Sequence, residues 1–100
     1  MNQIIKSKEN YSFQLLAKLI AEIEFEESYF HDLVNREFEF NDAVVLVSGC
    51  ITLFRKLNSD EINSISCDFT KVIISYDSEI ETELSFRDLL ELETLTEKYF

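Results

Sequence analysis

The sequence predicts an α+β fold: an antiparallel three- to four-stranded sheet, covered on one face by an N-terminal and a C-terminal helix. Three observations lead there. Apolar residues recur at helical spacing near both ends of the chain. Between these stretches lie alternating or β-branched runs, which suit strands. Small polar clusters at Asn41-Asp42, at Asn58 to Glu61 and at Asp77-Ser78 punctuate those runs as turns.

The first ten residues are polar apart from Met1, Ile4 and Ile5, and read as a frayed tail or a short edge element. Phe13, Leu16, Ile20 and Ile23 then follow steps near 3.6, with Leu15 and Leu19 widening the apolar stripe. Ser12 is the expected N-cap and Asn10 the competing start. The helix is expected to end between Glu22 and Phe30. Ser28 to Val34 reads as a further helical stretch. Arg36 to Phe40 alternates strictly, placing Phe38 and Phe40 on one face. Asn41-Asp42 predicts a tight hairpin turn.

Ala43 to Leu57 is the most β-like stretch of the chain, and Gly49 near its centre marks a bulge, a bend or a closely packed neighbour. Ile62 to Cys67 reads as irregular or as a short strand, and Phe69 to Tyr76 as a strand. Ile80 to Leu84 alternates again. Ser85 caps the last helix, whose apolar side carries Phe86, Leu89, Leu90, Leu92, Leu95 and Tyr99. The solvent face of such a sheet carries Glu37, Glu39, Thr52 and Lys71. Val44 to Val47 is apolar on both faces, which leaves part of it exposed or covered by a partner.

At 100 residues the chain is a single domain, residues 1–100. Its hydrophobic content of 46% rules out whole-chain disorder. Two distant cysteines, Cys50 and Cys67, do not form a disulfide scaffold and suit buried thiols in a reducing compartment. The first residues lack the apolar core of a signal peptide, and no apolar run approaches the ~20 residues that span a bilayer. Cytoplasm is the expected location, without membrane binding.

The chemistry of catalysis is sparse. One glycine cannot build a phosphate loop or a dinucleotide fingerprint. The single histidine, His31, adjoins Asp32, and sequence neighbours do not share a face. Glu27 and His31 stand four apart, half of a helical metal site with no second half. Asp77, Glu79 and Glu81 offer alternate oxygens without the glycine of a calcium loop. The expectation is a non-enzymatic protein with no cofactor and no metal.

Charge is the unusual feature. Asp and Glu total 20 against 9 Lys and Arg, a net charge of −11. The acids fall in two blocks. Positions 22 to 42 hold eight acids with Arg36 the only base, and positions 77 to 97 hold eight with Arg87 the only base. Such a surface repels nucleic acid and attracts a basic protein. The expected partner-binding residues are Glu24, Glu26, Glu27, Glu37 and Glu39 in one patch, and Glu79, Glu81 and Glu83 in another. A row of carboxylates imitates a phosphate backbone, so the expected role is an inhibitor seated on the basic surface of a nucleic-acid-binding protein. The alternative is an assembly component that forms a homo-oligomer through apolar contacts at Val44 to Val47 or at Tyr99-Phe100.

The run from Glu37 to Ile51, followed by Val72 to Asp77, resembles small uncharacterised α+β proteins carried by bacterial phages and mobile elements. The resemblance covers residues 37 to 77. It implies an accessory or inhibitor role without catalysis, and no particular residues.

Overall fold

The computed structural model describes residues 4–23, 30–55, 57–58, 61–77 and 80–99. The chain is α+β. In order it forms β1 (Ile5–Lys6), α1 (Phe13–Ala21), β2 (Phe30–Glu39), β3 (Val44–Arg55), β4 (Ile62–Asp77), β5 (Ile80–Glu83) and α2 (Phe86–Lys98). One sheet holds all five strands in chain order. It is mixed, not purely antiparallel: β1 pairs in parallel with β2, placing Ile5 beside Phe38, and the other pairs are antiparallel. The parallel pair needs a crossover connection, and α1 lies within it. A two-residue strand is too short to show alternation, so the sequence pattern left β1 as an optional edge.

Both predicted caps form. Ser12 Oγ accepts the Leu15 N–H at 3.0 Å, and Ser85 Oγ accepts the Asp88 N–H at 3.2 Å. α1 ends at Ala21 with Glu22 as its C-cap, at the near edge of the expected range. Asn10 has a different use. Its side chain accepts from Asn41 Nδ2 at 2.9 Å, the Glu9 carbonyl accepts the Asn41 N–H, and Asp42 Oδ1 accepts the Tyr11 N–H at 2.6 Å. The predicted Asn41-Asp42 turn, closed by Phe40 N–H to the Ala43 carbonyl, is therefore clamped by the segment that leads into α1.

One assignment is corrected, and of two open alternatives one holds in a longer form. The described part of the Ser28 to Val34 stretch, from Phe30 on, is strand and belongs to β2. Phe30 to Leu33 pair with Thr52 to Gly49. The length of β3 supplies a ladder that outweighs a weak local helical pattern. Ile62 to Cys67, read as irregular or as a short strand, is strand, and forms the first part of the 16-residue β4. The inward residues of β4 run Ile65, Cys67, Phe69 and then Val72, Ile74. That phase break hides the continuity of the strand.

The break is a bulge. Gly49 pairs with Phe69 while Ser48 pairs with Lys71, so Thr70 has no opposite number. On the other side, Leu33 pairs with Gly49 and Arg36 with Val47, so Val34 and Asn35 together face Ser48. Asn35 takes a left-handed φ of 47°. Its N–H donates to Ser48 Oγ at 3.0 Å, and that hydroxyl donates to Asn35 Oδ1 at 3.2 Å. Both neighbours of β3 thus carry an extra residue at the same level, around the glycine.

One hydrophobic cluster holds the fold. Phe38, Val45 and Ile74 stand abreast across β2, β3 and β4, as do Leu33, Gly49 and Phe69. With Val47, Ile51, Leu53, Cys67 and Val72 they join Leu16, Ala17 and Ile20 of α1 and Leu89 and Leu92 of α2. The helix placement differs in detail from two equivalent covers. α2 packs on β4, and α1 packs against α2. Glu93 of α2 fastens the contact, its Oε2 accepting the Phe69 N–H at 3.0 Å. β5 pairs with β4 only from Ile73 to Asp77, so this amide finds its acceptor in the helix instead.

Candidate functional site

Alternation fixes what the other face of the sheet presents. If Val45, Val47, Ile51 and Leu53 point inward, then Val44, Leu46, Ser48, Cys50, Thr52 and Phe54 point outward along β3. The register continues each row across the neighbouring strands. Glu39 stands beside Val44, followed by Ser75 and Glu81. Glu37 stands beside Leu46, followed by Ile73 and Glu83. Further along, Asp32 stands beside Cys50, followed by Asp68.

The result is a short apolar stripe at the hairpin end, Val44, Leu46 and Ile73, with carboxylates on both sides, beyond which β3 presents Ser48, Cys50 and Thr52. Val44, Leu46 and Ile73 are half-buried yet lie outside the core cluster. Glu81, Glu83, Asp32 and Asp68 are exposed, while Glu37 and Glu39 are half-buried. From β2 to β5 is three strand spacings, about 14 Å. From β2 to β4, at the Cys50 level, it is two spacings, about 10 Å. Among the described residues, these rows carry six carboxylates, and two lysines adjoin them. Lys6 Nζ lies 3.8 Å from Glu39 Oε2, and Lys71 stands opposite Ser48. At the hairpin end, Asn41, Asp42, Val44, Ser75 and Tyr76 border an open depression.

The predicted acids can now be placed. Glu37 and Glu39 from one sequence block and Glu81 and Glu83 from the other share one face of one sheet, so the described members of the two expected patches lie on one surface. Glu24, Glu26, Glu27 and Glu79 lie outside the described residues. Sequence reasoning left out Asp32 and Asp68. Asp68 falls in neither acidic block, and its only signal is strand parity: it is outward because Cys67 and Phe69 are inward.

The cysteines lie on opposite faces. Ile51 and Cys67 are register partners on the core side, and Cys50 is turned outward towards Asp68. Both are free thiols, and no Cys50–Cys67 bridge forms. Burial pushes the Cys67 thiol up to about 12, with Glu97, Glu93 and Cys50 adding to it. The Cys50 thiol is also raised, by burial first and then by Asp68, Asp32 and Glu93. Activation of a cysteine nucleophile requires the opposite shift. Burial likewise raises the Glu93 carboxyl, against the lowering effect of its bond from the Phe69 amide. His31 sits in β2 opposite Ile51, one residue from Asp32 and so on the other face. Glu27, the other half of the helical spacing with His31, lies outside the described residues, as does Glu79 of the alternating oxygens. Among the described residues, no three His, Cys, Asp or Glu side chains group as metal ligands, and no helix is long and apolar enough to cross a membrane.

The thiols give a direct check on the two faces. Alkylation with iodoacetamide at pH 8 is expected to modify Cys50 slowly and Cys67 at least about tenfold more slowly. In denaturant the two rates converge. Equal rates in the folded protein would contradict the assignment of faces.

Comparison with known proteins brings no match: neither a family model, a curated protein nor a solved structure is similar to this chain.

Proposed function

We propose that the chain is a non-enzymatic, acidic protein-binding module that inhibits a nucleic-acid-binding protein by occupying its basic surface. One observation carries the reading: Glu37, Glu39, Glu81 and Glu83, far apart in sequence, stand on one sheet face around an apolar stripe outside the core. Negative charge of this density repels nucleic acid and attracts the cationic groove that nucleic acid would fill. The field speeds encounter, and the apolar stripe supplies contact area that resists salt. Free thiols suit a cytoplasmic setting.

The second reading, a homo-oligomer held by apolar contacts, is favoured by Phe30 and Phe54, which are 53% and 50% exposed towards the other end of the sheet. Salt separates the two, because charge attraction is screened and apolar burial is not.

The test is capture of partners from lysate on immobilised chain, eluted with a salt gradient. The expected result is a basic nucleic-acid-binding protein that leaves at moderate salt and loses its nucleic acid when the free chain is added. The triple variant Glu37→Lys, Glu81→Lys, Glu83→Lys is expected to stay folded and to bind this protein at least about tenfold more weakly. Undiminished capture by the folded variant would exclude this surface. Recovery of the chain alone, whatever the salt, would replace the inhibitor reading with self-assembly.

A further inference from the structure

We infer that the partner segment received by this face is a basic amphipathic α-helix, laid along β3. This rests on the protein-binding reading and adds the shape of the ligand. Three features of the outward face select it. The first is width. Carboxylates on the two sides of β3 stand about 10 to 14 Å apart, the separation of two to three strand spacings. An α-helix with its side chains is about 10–12 Å across. A single extended strand occupies about 5 Å and reaches one row of acids but not both.

The second is length. From the Glu39–Val44 level to the Asp32–Cys50 level is six residues of strand, about 20 Å. A helix of about 14 residues covers that distance. The third is chemistry. Val44, Leu46 and Ile73 form an apolar floor between Glu37 and Glu39 on one side and Glu81 and Glu83 on the other, and beyond the Ser48–Lys71 level Asp32 and Asp68 flank Cys50. A helix whose Leu-type residues recur every three to four positions meets that floor, and Lys or Arg on its two flanks meets both rows of acids. A second copy of the chain would set carboxylates against carboxylates, and nucleic acid would do the same with phosphate.

The probe is a synthetic peptide of about 14 residues, five helical Leu positions on one stripe with Lys on both flanks. Its control is an isomer of identical composition with the Leu positions scattered around the helix. Both carry the same charge. Binding to the full chain is followed by fluorescence anisotropy, and its place by the rate of Cys50 alkylation. The amphipathic peptide is expected to bind at least about tenfold more tightly than its isomer and to slow alkylation of Cys50. Leu46→Asn is expected to erase that preference. The double variant Asp32→Asn, Asp68→Asn, which alters exposed side chains alone, is expected to weaken the amphipathic peptide several-fold and so serves if Leu46→Asn folds poorly. Equal binding of both peptides, equally sensitive to salt, would overturn the helix while leaving the acidic module standing. Tight binding that leaves Cys50 unprotected would move the ligand elsewhere and overturn the proposal. If neither peptide binds and no basic protein is captured on the immobilised chain, both readings fall together.

Discussion

Replacing Gly49 with alanine is expected to destabilise the domain by about 2–5 kcal/mol, for one added methyl group. Two costs combine. The φ of Gly49 is +152°, a backbone conformation that side-chain-bearing residues rarely adopt. A Cβ there would also press on the Asp68 carbonyl oxygen and stand 2.7 Å from Phe69 Cα. Those atoms are backbone, so no rotamer change relieves the contact. β4 would have to withdraw at its bulge, loosening the Glu93 bond to the Phe69 amide. For a domain of this size, a loss of that order lowers Tm by at least about 10 °C. Calorimetry measures it, with Ser48→Ala as the neighbouring control. Ser48 loses only its exchange with Asn35, expected to cost about 1 kcal/mol. A Gly49→Ala protein that melts within a few degrees of the parent would show that β4 yields easily, contrary to the packing described.

The second large effect is expected at Phe38. Its side chain is fully buried and lies beside Ile5 on one strand and Val45 on another. Truncation to alanine is expected to cost about 3–5 kcal/mol in denaturant unfolding, the usual range for a buried phenylalanine. The change also removes the inward neighbour that Ile5 packs beside, so exchange of the Ser7 amide, bonded to the Glu39 carbonyl at 2.7 Å, should accelerate. One position away, Glu37 points the other way. Glu37→Ala is expected to leave stability within about 0.5 kcal/mol. The two adjacent substitutions therefore separate folding from surface chemistry. A Phe38→Ala cost below about 1 kcal/mol would mean that the core collapses into the space, against the range seen for such sites.

Much of the local structure was legible. Ser12 and Ser85 are hydroxyl residues placed just ahead of amphipathic stretches, and each does cap its helix. Arg36 to Phe40 alternates without interruption, and all of it but Phe40 is strand, and Asn41-Asp42 turns the chain. Gly49 marks a bulge, a bend or a close neighbour, and the structure has bulges at its level in both adjoining strands as well as the close approach of β4. Legibility failed where the pattern is broken or too short. β1 has two residues. β4 changes phase at Thr70, so its first half looked detached from its second. Phe30 to Leu33 became strand because a long β3 offered partners, which no local window contains.

The candidate site divides in the same way. Composition and order by themselves determined the acidity of this protein, the two blocks in which the acids fall, the sparseness of catalytic and metal-binding residues, and the alternation that turns Glu37 and Glu39 away from Phe38. Those properties are additive or short-range, so they can be read along the chain. The tertiary structure alone decided that Glu37 and Glu39 of one block meet Glu81 and Glu83 of the other on one face, that Asp32 and Asp68 stand further along it, and that Val44, Leu46 and Ile73 lie between the first four. That outcome depends on strand order and register, which are set by pairing across long sequence separations and by the bulges around Gly49. A shift of one residue in any pairing would turn that strand's acids towards the core. The buried inward residues hold the register in place, so the hydrophobic core dictates where the charges stand.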